Sequence, residues 1–181
     1  IMPPSDFVKF VLPKSFVLYN PKDIVSGDFY WVMQADDKAY FAAVDCTGHG
    51  VPGAFMSIVG HDQLNNALNV KAARRPDQIL NELNKGVTGT LRQKPGTATV
   101  RDGMDIALCS IDYKNMMLQY AGAFNPLILV RNGEMQIIKG DRFPIGAFVG
   151  ETLQQFTNHE IKLEKGDMLY VYSDGYADQF G

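Results

Sequence analysis

The stretch KAYFAAVDCTGHGVPGA, residues 38–54, joins three local signals that decide the fold. The apolar run 39–44 predicts a strand, which Asp45 closes. Residues 45–50 contain too much glycine for a helix or a strand, so they predict a loop. Pro52 is tolerated in the first turn of a helix and predicts a helix start. A strand, a glycine-rich loop and a helix therefore follow one another directly.

Periodic apolar positions on both sides of this stretch predict the remaining elements. Residues 24–33 predict a strand that pairs with 39–44 through a turn at 36–37. Helices are expected over 52–69 and 76–91, because their apolar residues recur every three or four positions. From residue 104 onward the period is two, which predicts strands at 104–112, 116–121, 127–131, 135–139, 156–163 and 168–172.

Loops are expected at 92–102 and 141–152, between these periodic segments. Strands, then two helices, then a further run of strands favour an α+β fold. In such a fold, antiparallel sheets are flanked by helices.

Composition and charge exclude several classes of protein. A length of 181 residues suits one domain, and 46% hydrophobic residues permit a substantial core. The net charge of −3 argues against nucleic-acid binding. No apolar run reaches the roughly 18 residues of a membrane span. Cys46 and Cys109 lie in apolar contexts, so we expect buried thiols in a reducing compartment, the cytoplasm.

Three aspartates, Asp28, Asp45 and Asp174, stand within or at the end of apolar runs, near glycine. A buried carboxylate is costly unless something positive meets it. Three such sites far apart in the sequence suggest one shared positive object, and Mg²⁺ or Mn²⁺ favours oxygen ligands. The backbone carbonyl of Cys46 is a further candidate ligand. Each aspartate taken alone is more typical of a turn, so the hypothesis depends on all three together.

Three blocks resemble a known family: SGDFYW at 26–31, DCTGHGVPGA at 45–54 and YSDG at 172–175. They are similar to the metal-dependent protein phosphatases (PPM, type 2C), in particular the bacterial SpoIIE/RsbU-like branch. The resemblance implies an α-β-β-α sandwich of antiparallel sheets. It also implies hydrolysis of phosphoserine or phosphothreonine on a partner protein through a metal-bridged hydroxide. In this branch the substrate resembles an anti-sigma-factor antagonist, which implies bacterial signal transduction with a sensory domain upstream.

The resemblance assigns ligands for two Mn²⁺ or Mg²⁺ ions. Asp45 would bridge both ions and act in catalysis. Asp28 and the Cys46 carbonyl would hold one ion, and Asp174 would hold the other.

Four further residues are weaker candidates. His49 is a candidate general acid, because its pKa would lie near the working pH; the alternative is that it shapes the loop. Asp102 and Asp105 are candidates for an accessory cation, and turn aspartates are the alternative. Arg142 is a candidate contact for a phosphoprotein, and an ordinary surface arginine is the alternative.

The C-terminal end departs from the family pattern. The family's last metal-binding aspartate lies in a late Asp-Asp motif, which is not found in this sequence before its end at Gly181. We therefore expect one domain over 1–181 that lacks the family's C-terminal part, binds metal weakly or at one site, and has reduced or no activity. The alternative function is a non-catalytic, phosphatase-like module that binds a partner or forms a homodimer. A membrane anchor elsewhere in the full-length protein is compatible with either function.

Overall fold

The computed structural model describes residues 2–21, 24–48, 50–91, 103–146, 148–149 and 152–176. Within them lie three α-helices: α1 (Ser5–Val11), α2 (Gly50–Asn69) and α3 (Pro76–Thr90). The strands, in chain order, are β1 (Phe29–Ala35), β2 (Lys38–Cys46), β3 (Met104–Asp112), β4 (Met117–Ala123), β5 (Leu127–Arg131), β6 (Glu134–Ile138), β7 (Phe148–Val149), β8 (Thr152–Leu153), β9 (His159–Lys162) and β10 (Met168–Tyr170). A 3₁₀ turn, Asp174–Tyr176, follows β10.

The described strands form two sheets and one short hairpin. Five strands pair in the order β1-β2-β3-β4-β9, three pair in the order β10-β5-β6, and β7 pairs with β8. All of these pairings are antiparallel. The hairpin turn at Asn132 and Gly133 has φ values of 52° and 80°, as a tight two-residue turn requires. The predicted α+β class with antiparallel sheets is confirmed.

Helices α2 and α3 cover one face of the five-stranded sheet. The buried stripe of α3 includes Ile79, Leu83 and Val87, at the predicted helical spacing. These side chains belong to one core cluster with Trp31 of β1 and Leu108 of β3, which are fully buried. Burial of one large apolar side chain stabilises a fold by about 1.5–3 kcal/mol. This layer therefore holds the two helices firmly against the sheet.

The opposite face of the five-stranded sheet packs against the three-stranded sheet and α1. Cys109 of β3 and Leu127 of β5 belong to the same buried cluster. Helix α1 contributes Val8 and Val11 to it. Cys46 is buried on the helix side, so the prediction of two buried, free thiols is confirmed.

The outer face of the three-stranded sheet is apolar. Val130 of β5 pairs with Met135 of β6 on one side and with Met168 of β10 on the other, which places the three on one face. Ile137 of β6 lies two residues along the same face. Met135, Ile137 and Met168 are 63%, 52% and 50% exposed, respectively. In the described part of the chain, this face is thus open to solvent.

Several element boundaries differ from the sequence predictions. The predicted strand at 24–33 begins only at Phe29, since Gly27 lies against the carbonyl oxygens of Cys46 and Gly48 and leaves the ladder. Strand β2 continues through Cys46, so Asp45 belongs to a strand and not to a loop.

Two elements were not predicted, and one predicted loop is untested. Helix α1 has only seven residues, of which Val8 and Val11 are buried, too few to show a period. The hairpin of β7 and β8 overlaps the loop predicted at 141–152 and extends one residue beyond it, to Leu153. The loop predicted at 92–102 lies outside the described residues.

Candidate metal centre

The register of the five-stranded sheet brings three acidic residues to one end. Asp45 of β2 is the direct cross-strand partner of Asp105 of β3. Phe29 pairs with Val44, so Asp28, one residue before β1, lies beside Asp45. These residues are far apart in sequence, and only the strand pairing makes them neighbours.

Asp174 joins this group from the second sheet. It begins the 3₁₀ turn that follows β10. Asp174 and Asp28 are both near enough to Asp45 to raise the pKa of its carboxyl. The preceding residue, Ser173, donates a hydrogen bond of 2.7 Å from its hydroxyl to Oδ2 of Asp28. The structure thus brings together the three aspartates singled out from the sequence, and it adds Asp105.

The electrostatics of the cluster are those of acids without a positive partner. Burial first, and then the neighbouring Asp174 and Asp28 carboxyls, together raise the pKa of Asp45 to about 8. Burial, followed by the charge of Asp174, raises the pKa of Asp105 to about 6. Burial, followed by the charges of Asp28 and Asp45, raises the pKa of the Cys46 thiol. In the described part of the chain, no lysine or arginine forms an ion pair with these carboxylates.

Backbone contacts hold the loop that follows Asp45. The amide of Thr47 donates to the Gly103 carbonyl at 3.0 Å, and the Gly103 amide donates back to Thr47 Oγ1 at 2.9 Å. This exchange extends the pairing of β2 with β3 by one residue past Cys46. It therefore fixes the direction in which the chain leaves the strand that carries Asp45.

Glycines allow three segments to meet behind the cluster. A Cβ placed on Gly53, in the first turn of α2, would lie 2.6 Å from the Gly48 carbonyl oxygen and 3.2 Å from Gly27 Cα. A Cβ on Gly27 would lie 3.1 Å from the carbonyl oxygens of Cys46 and Gly48. Only glycine permits this approach of backbone to backbone. The start of α2 is thereby packed directly on the loop after Asp45.

The cluster is not a ready-made cage for a cation. Among the described residues, no three His, Cys, Asp or Glu side chains are arranged to hold a metal ion. Burial and the neighbouring Asp174 and Asp28 carboxyls instead favour the protonated form of Asp45. The lack of a three-side-chain arrangement does not exclude a cation, because it concerns side-chain ligands only. Backbone carbonyls and water are also ordinary ligands of Mg²⁺ and Mn²⁺. The oxygen donors present therefore fit a hard divalent cation.

The remaining candidates are distributed differently. His49 and Asp102 lie outside the described residues. Arg142 is exposed. His61 lies in α2, where Asn65 contacts its ring at 3.3 Å and burial lowers its pKa. It is a packing residue on the helix and not a member of the cluster.

Supporting hydroxyls were missed at the level of sequence. Ser26, Thr47 and Ser173 contact the acidic residues or the loop between them. Each stands within two residues of an aspartate in the SGD, DCT and SD segments. That adjacency was the available signal, but it does not show which atom each hydroxyl reaches.

Comparison with known proteins identifies the class. The fold is that of the PPM (PP2C) phosphatases, which are metal-dependent enzymes. The sequence profile of the SpoIIE family (Stage II sporulation protein E) matches residues 35–180, and the chain belongs to this family. A comparison with curated protein sequences finds no significant match.

Solved structures agree with this assignment. The SiaA-PP2C domain of Pseudomonas aeruginosa is 31% identical with a TM-score of 0.85, over 97% of this chain and 67% of that one. The RsbU and RsbW domains of a Mycobacterium tuberculosis protein are 19% identical with a TM-score of 0.68, over 90% of this chain and 42% of that one. The phosphatase domain and a regulatory fragment of SpoIIE from Bacillus subtilis are 21% identical with a TM-score of 0.66, over 84% of this chain and 42% of that one. The chain thus spans about two thirds of the first structure and under half of the other two.

One further finding concerns membranes. No helix in the described residues has both the length and the apolar character needed to cross one.

Proposed function

We propose that this chain is a metal-dependent serine/threonine phosphoprotein phosphatase domain of a bacterial signalling regulator. One observation carries the proposal: Asp28, Asp45 and Asp174 converge from remote segments of the chain. Among the described residues, no lysine or arginine forms an ion pair with them. An acidic group whose pKa is raised by burial and acidic neighbours, as that of Asp45 is, is typical of a site that binds a cation or performs catalysis. The family consists of PP2C-like phosphatase domains of bacterial signalling regulators, which supports this function.

In this proposal Asp28, Asp45, Asp174 and the Cys46 carbonyl hold two Mn²⁺ or Mg²⁺ ions, and Asp105 contributes to an accessory ion. Bound divalent cations lower the pKa of water and neutralise charge on phosphoryl oxygens. Asp45 must be ionised to serve as a ligand, and loss of its proton is opposed by the other acids until a cation is present.

Other parts of the proposal concern the proton and the accessory site. His49 is the proposed proton donor to the leaving serine or threonine oxygen, since an imidazole titrates near neutral pH. Asp102 is proposed as a second acidic ligand of the accessory ion.

The proposed substrate is a phosphorylated protein, with an anti-sigma-factor antagonist as the specific candidate. The likeness to the RsbU and RsbW domains, which occur together in one Mycobacterium tuberculosis protein, supports a regulatory partner of this kind. We also propose an upstream sensory domain in the full-length protein. A cytoplasmic location is proposed because both cysteines are free and buried.

The test is hydrolysis of a phosphoserine peptide by this chain in the presence of Mn²⁺, measured as phosphate release. Asp45→Ala removes the central ligand, and Asp37→Asn, in the exposed β1–β2 turn, is the control, because asparagine tolerates the φ of 59° at that position. We expect reduced but measurable phosphate release by the unmodified chain and the control, and none with Asp45→Ala or EDTA. Release that is equal in the Asp45→Ala variant would overturn the proposal.

A second function is favoured by the lack of a ready-made side-chain cage in the described residues. It is a non-catalytic module that binds a phosphoprotein or dimerises without turnover. The same assay separates the two functions when combined with Mn²⁺ titration by calorimetry. An inert chain that binds no Mn²⁺ but retains the phosphopeptide would support the module and exclude the phosphatase.

A further inference from the structure

Ser173 stands in the YSDG block but is not among the proposed ligands. We propose that Ser173 is a positioning residue, which aims the Asp28 carboxylate at the metal centre. This inference rests on the proposed function. It adds a role for a hydroxyl that connects two of the ligand-bearing segments.

The contact itself is short and bridges remote parts of the chain. The Ser173 hydroxyl donates to Oδ2 of Asp28 at 2.7 Å across 145 residues of sequence. Both residues are half-buried. A hydrogen bond to an ionised carboxylate is about twice as strong as one between neutral groups. It engages Oδ2 of Asp28 with a donor and so restrains rotation of the carboxylate.

The turn at residues 173–175 packs against the Asp28 carboxylate. A Cβ placed on Gly175 would lie 3.6 Å from Asp28 Oδ2 and 3.8 Å from Ser173 Oγ, so the carboxylate lies over the segment 173–175. Asp174, the proposed ligand of the other ion, is in the middle of that segment. One short turn therefore supplies one ligand and orients another.

Other contacts fix the main chain of Asp28 but not its side chain. The Asp28 amide donates to Ser26 Oγ at 3.0 Å. The Tyr19 hydroxyl donates to the Asp28 carbonyl at 3.1 Å. Apart from the acidic neighbour Asp45, Ser173 is the one side chain in the described residues that hydrogen-bonds to the carboxylate. Rotation of that carboxylate thus depends on Ser173.

Side chains that hydrogen-bond to a metal ligand and orient it contribute measurably to the affinity for the metal. Their loss typically lowers affinity by about 10- to 100-fold, because the ligand must be ordered at the moment of binding. Removal of the Ser173 hydroxyl leaves Asp28 in place but frees its carboxylate to rotate. The expected consequence is weaker binding with an unchanged fold.

The experiment is calorimetric titration of this chain with Mn²⁺. Ser173→Ala removes the hydroxyl, Ser173→Cys replaces it with a weak donor of similar size, and Ser173→Thr retains it. The matched control is Ser15→Ala, since the exposed Ser15 hydroxyl bonds only the Leu12 carbonyl, at 2.7 Å, in the described structure. We expect the Kd for Mn²⁺ to rise about 10- to 100-fold in the Ala and Cys variants. It should stay close to the unmodified value in the Thr variant and the control.

The outcomes are distinguishable. Unfolding midpoints measured in EDTA show whether each variant folds. If Ser173→Ala does not fold, Ser173→Cys serves as the hydroxyl-free variant. If the unmodified chain binds Mn²⁺ and neither hydroxyl-free variant loses affinity, the positioning role is refuted while the phosphatase proposal stands. An equal loss in Ser173→Thr also refutes it. If the unmodified chain binds no Mn²⁺, both proposals are overturned.

Discussion

The substitution Asp45→Asn should stabilise the metal-free chain while abolishing cation binding. In the folded chain, burial and acidic neighbours raise the pKa of Asp45 from 3.8 to about 8. Four pKa units correspond to about 5–6 kcal/mol without screening. Asp45 is only half-buried, so solvent screening reduces the effect to about 1–2 kcal/mol. For a chain of this size, that is a rise in the unfolding midpoint of about 2–8 °C.

The sign follows from proton binding. A carboxyl whose pKa is raised by folding binds its proton more tightly in the folded state, so stability falls as pH rises from about 4 to about 8. The asparagine variant lacks this loss. It should match the unmodified chain near pH 4 and exceed it at pH 8.

The assay is thermal unfolding in EDTA at pH 5 and pH 8, followed by circular dichroism. Asp37→Asn is the matched control, because Asp37 is exposed and its φ of 59° is tolerated by asparagine. Mn²⁺ should reverse the order at pH 8, since binding at 100 times Kd stabilises the unmodified chain by about 2.7 kcal/mol. An asparagine variant that is no more stable than the unmodified chain at pH 8 in EDTA would refute the reasoning. So would a stability difference that does not grow between the two pH values.

Two further substitutions test how two loops of the fold are held in place, the loop after Asp45 and the loop that ends at Gly146. Gly53→Ala places a Cβ 2.6 Å from the Gly48 carbonyl oxygen and should cost about 1–3 kcal/mol and weaken Mn²⁺ binding in calorimetry. Gly89→Ala, where a Cβ meets nothing within 4 Å, should instead preserve both, and a loss equal to that of Gly53→Ala would contradict the packing argument. Asn84→Ala removes the acceptor of a 2.7 Å bond from the Gly146 amide and should lower stability by about 1–3 kcal/mol in chemical unfolding, because that amide is then buried unpaired. An unfolding free energy that does not change would show that the amide finds another partner.

The order of elements was readable from the sequence because it depends on local periodicity. Strand β3 has the bounds Met104–Asp112 that its alternating pattern predicts. Helix α3 buries Ile79, Leu83 and Val87 at the spacing that predicted it. Helix α1 escaped prediction since seven residues offer too few repeats of a helical period.

The site was only partly readable, for a physical reason. Carboxylates within or at the end of apolar runs drew attention to Asp28, Asp45 and Asp174, but only their joint pattern indicated a metal centre. Asp105 was a weaker candidate for an accessory cation, and its direct pairing with Asp45 follows only from the register of β2 with β3. The hydroxyl of Ser173 acts across 145 residues. Register and long-range contacts of this kind leave no local pattern in a sequence.

At Asp45, the proposed function is unfavourable for the stability of the fold, because a metal ligand must be ionised and this carboxyl is half-buried beside other acids. The same strand pairing that builds the five-stranded sheet forces Asp45 beside Asp105, and neither has a described cationic partner. Glycine contacts at positions 27, 48 and 53 then prevent the loop from relaxing away. Burial and the acidic neighbours therefore keep the pKa of Asp45 raised in the metal-free chain. The proposed metal binding would raise the unfolding midpoint, so that midpoint tests the proposal independently of any phosphatase assay.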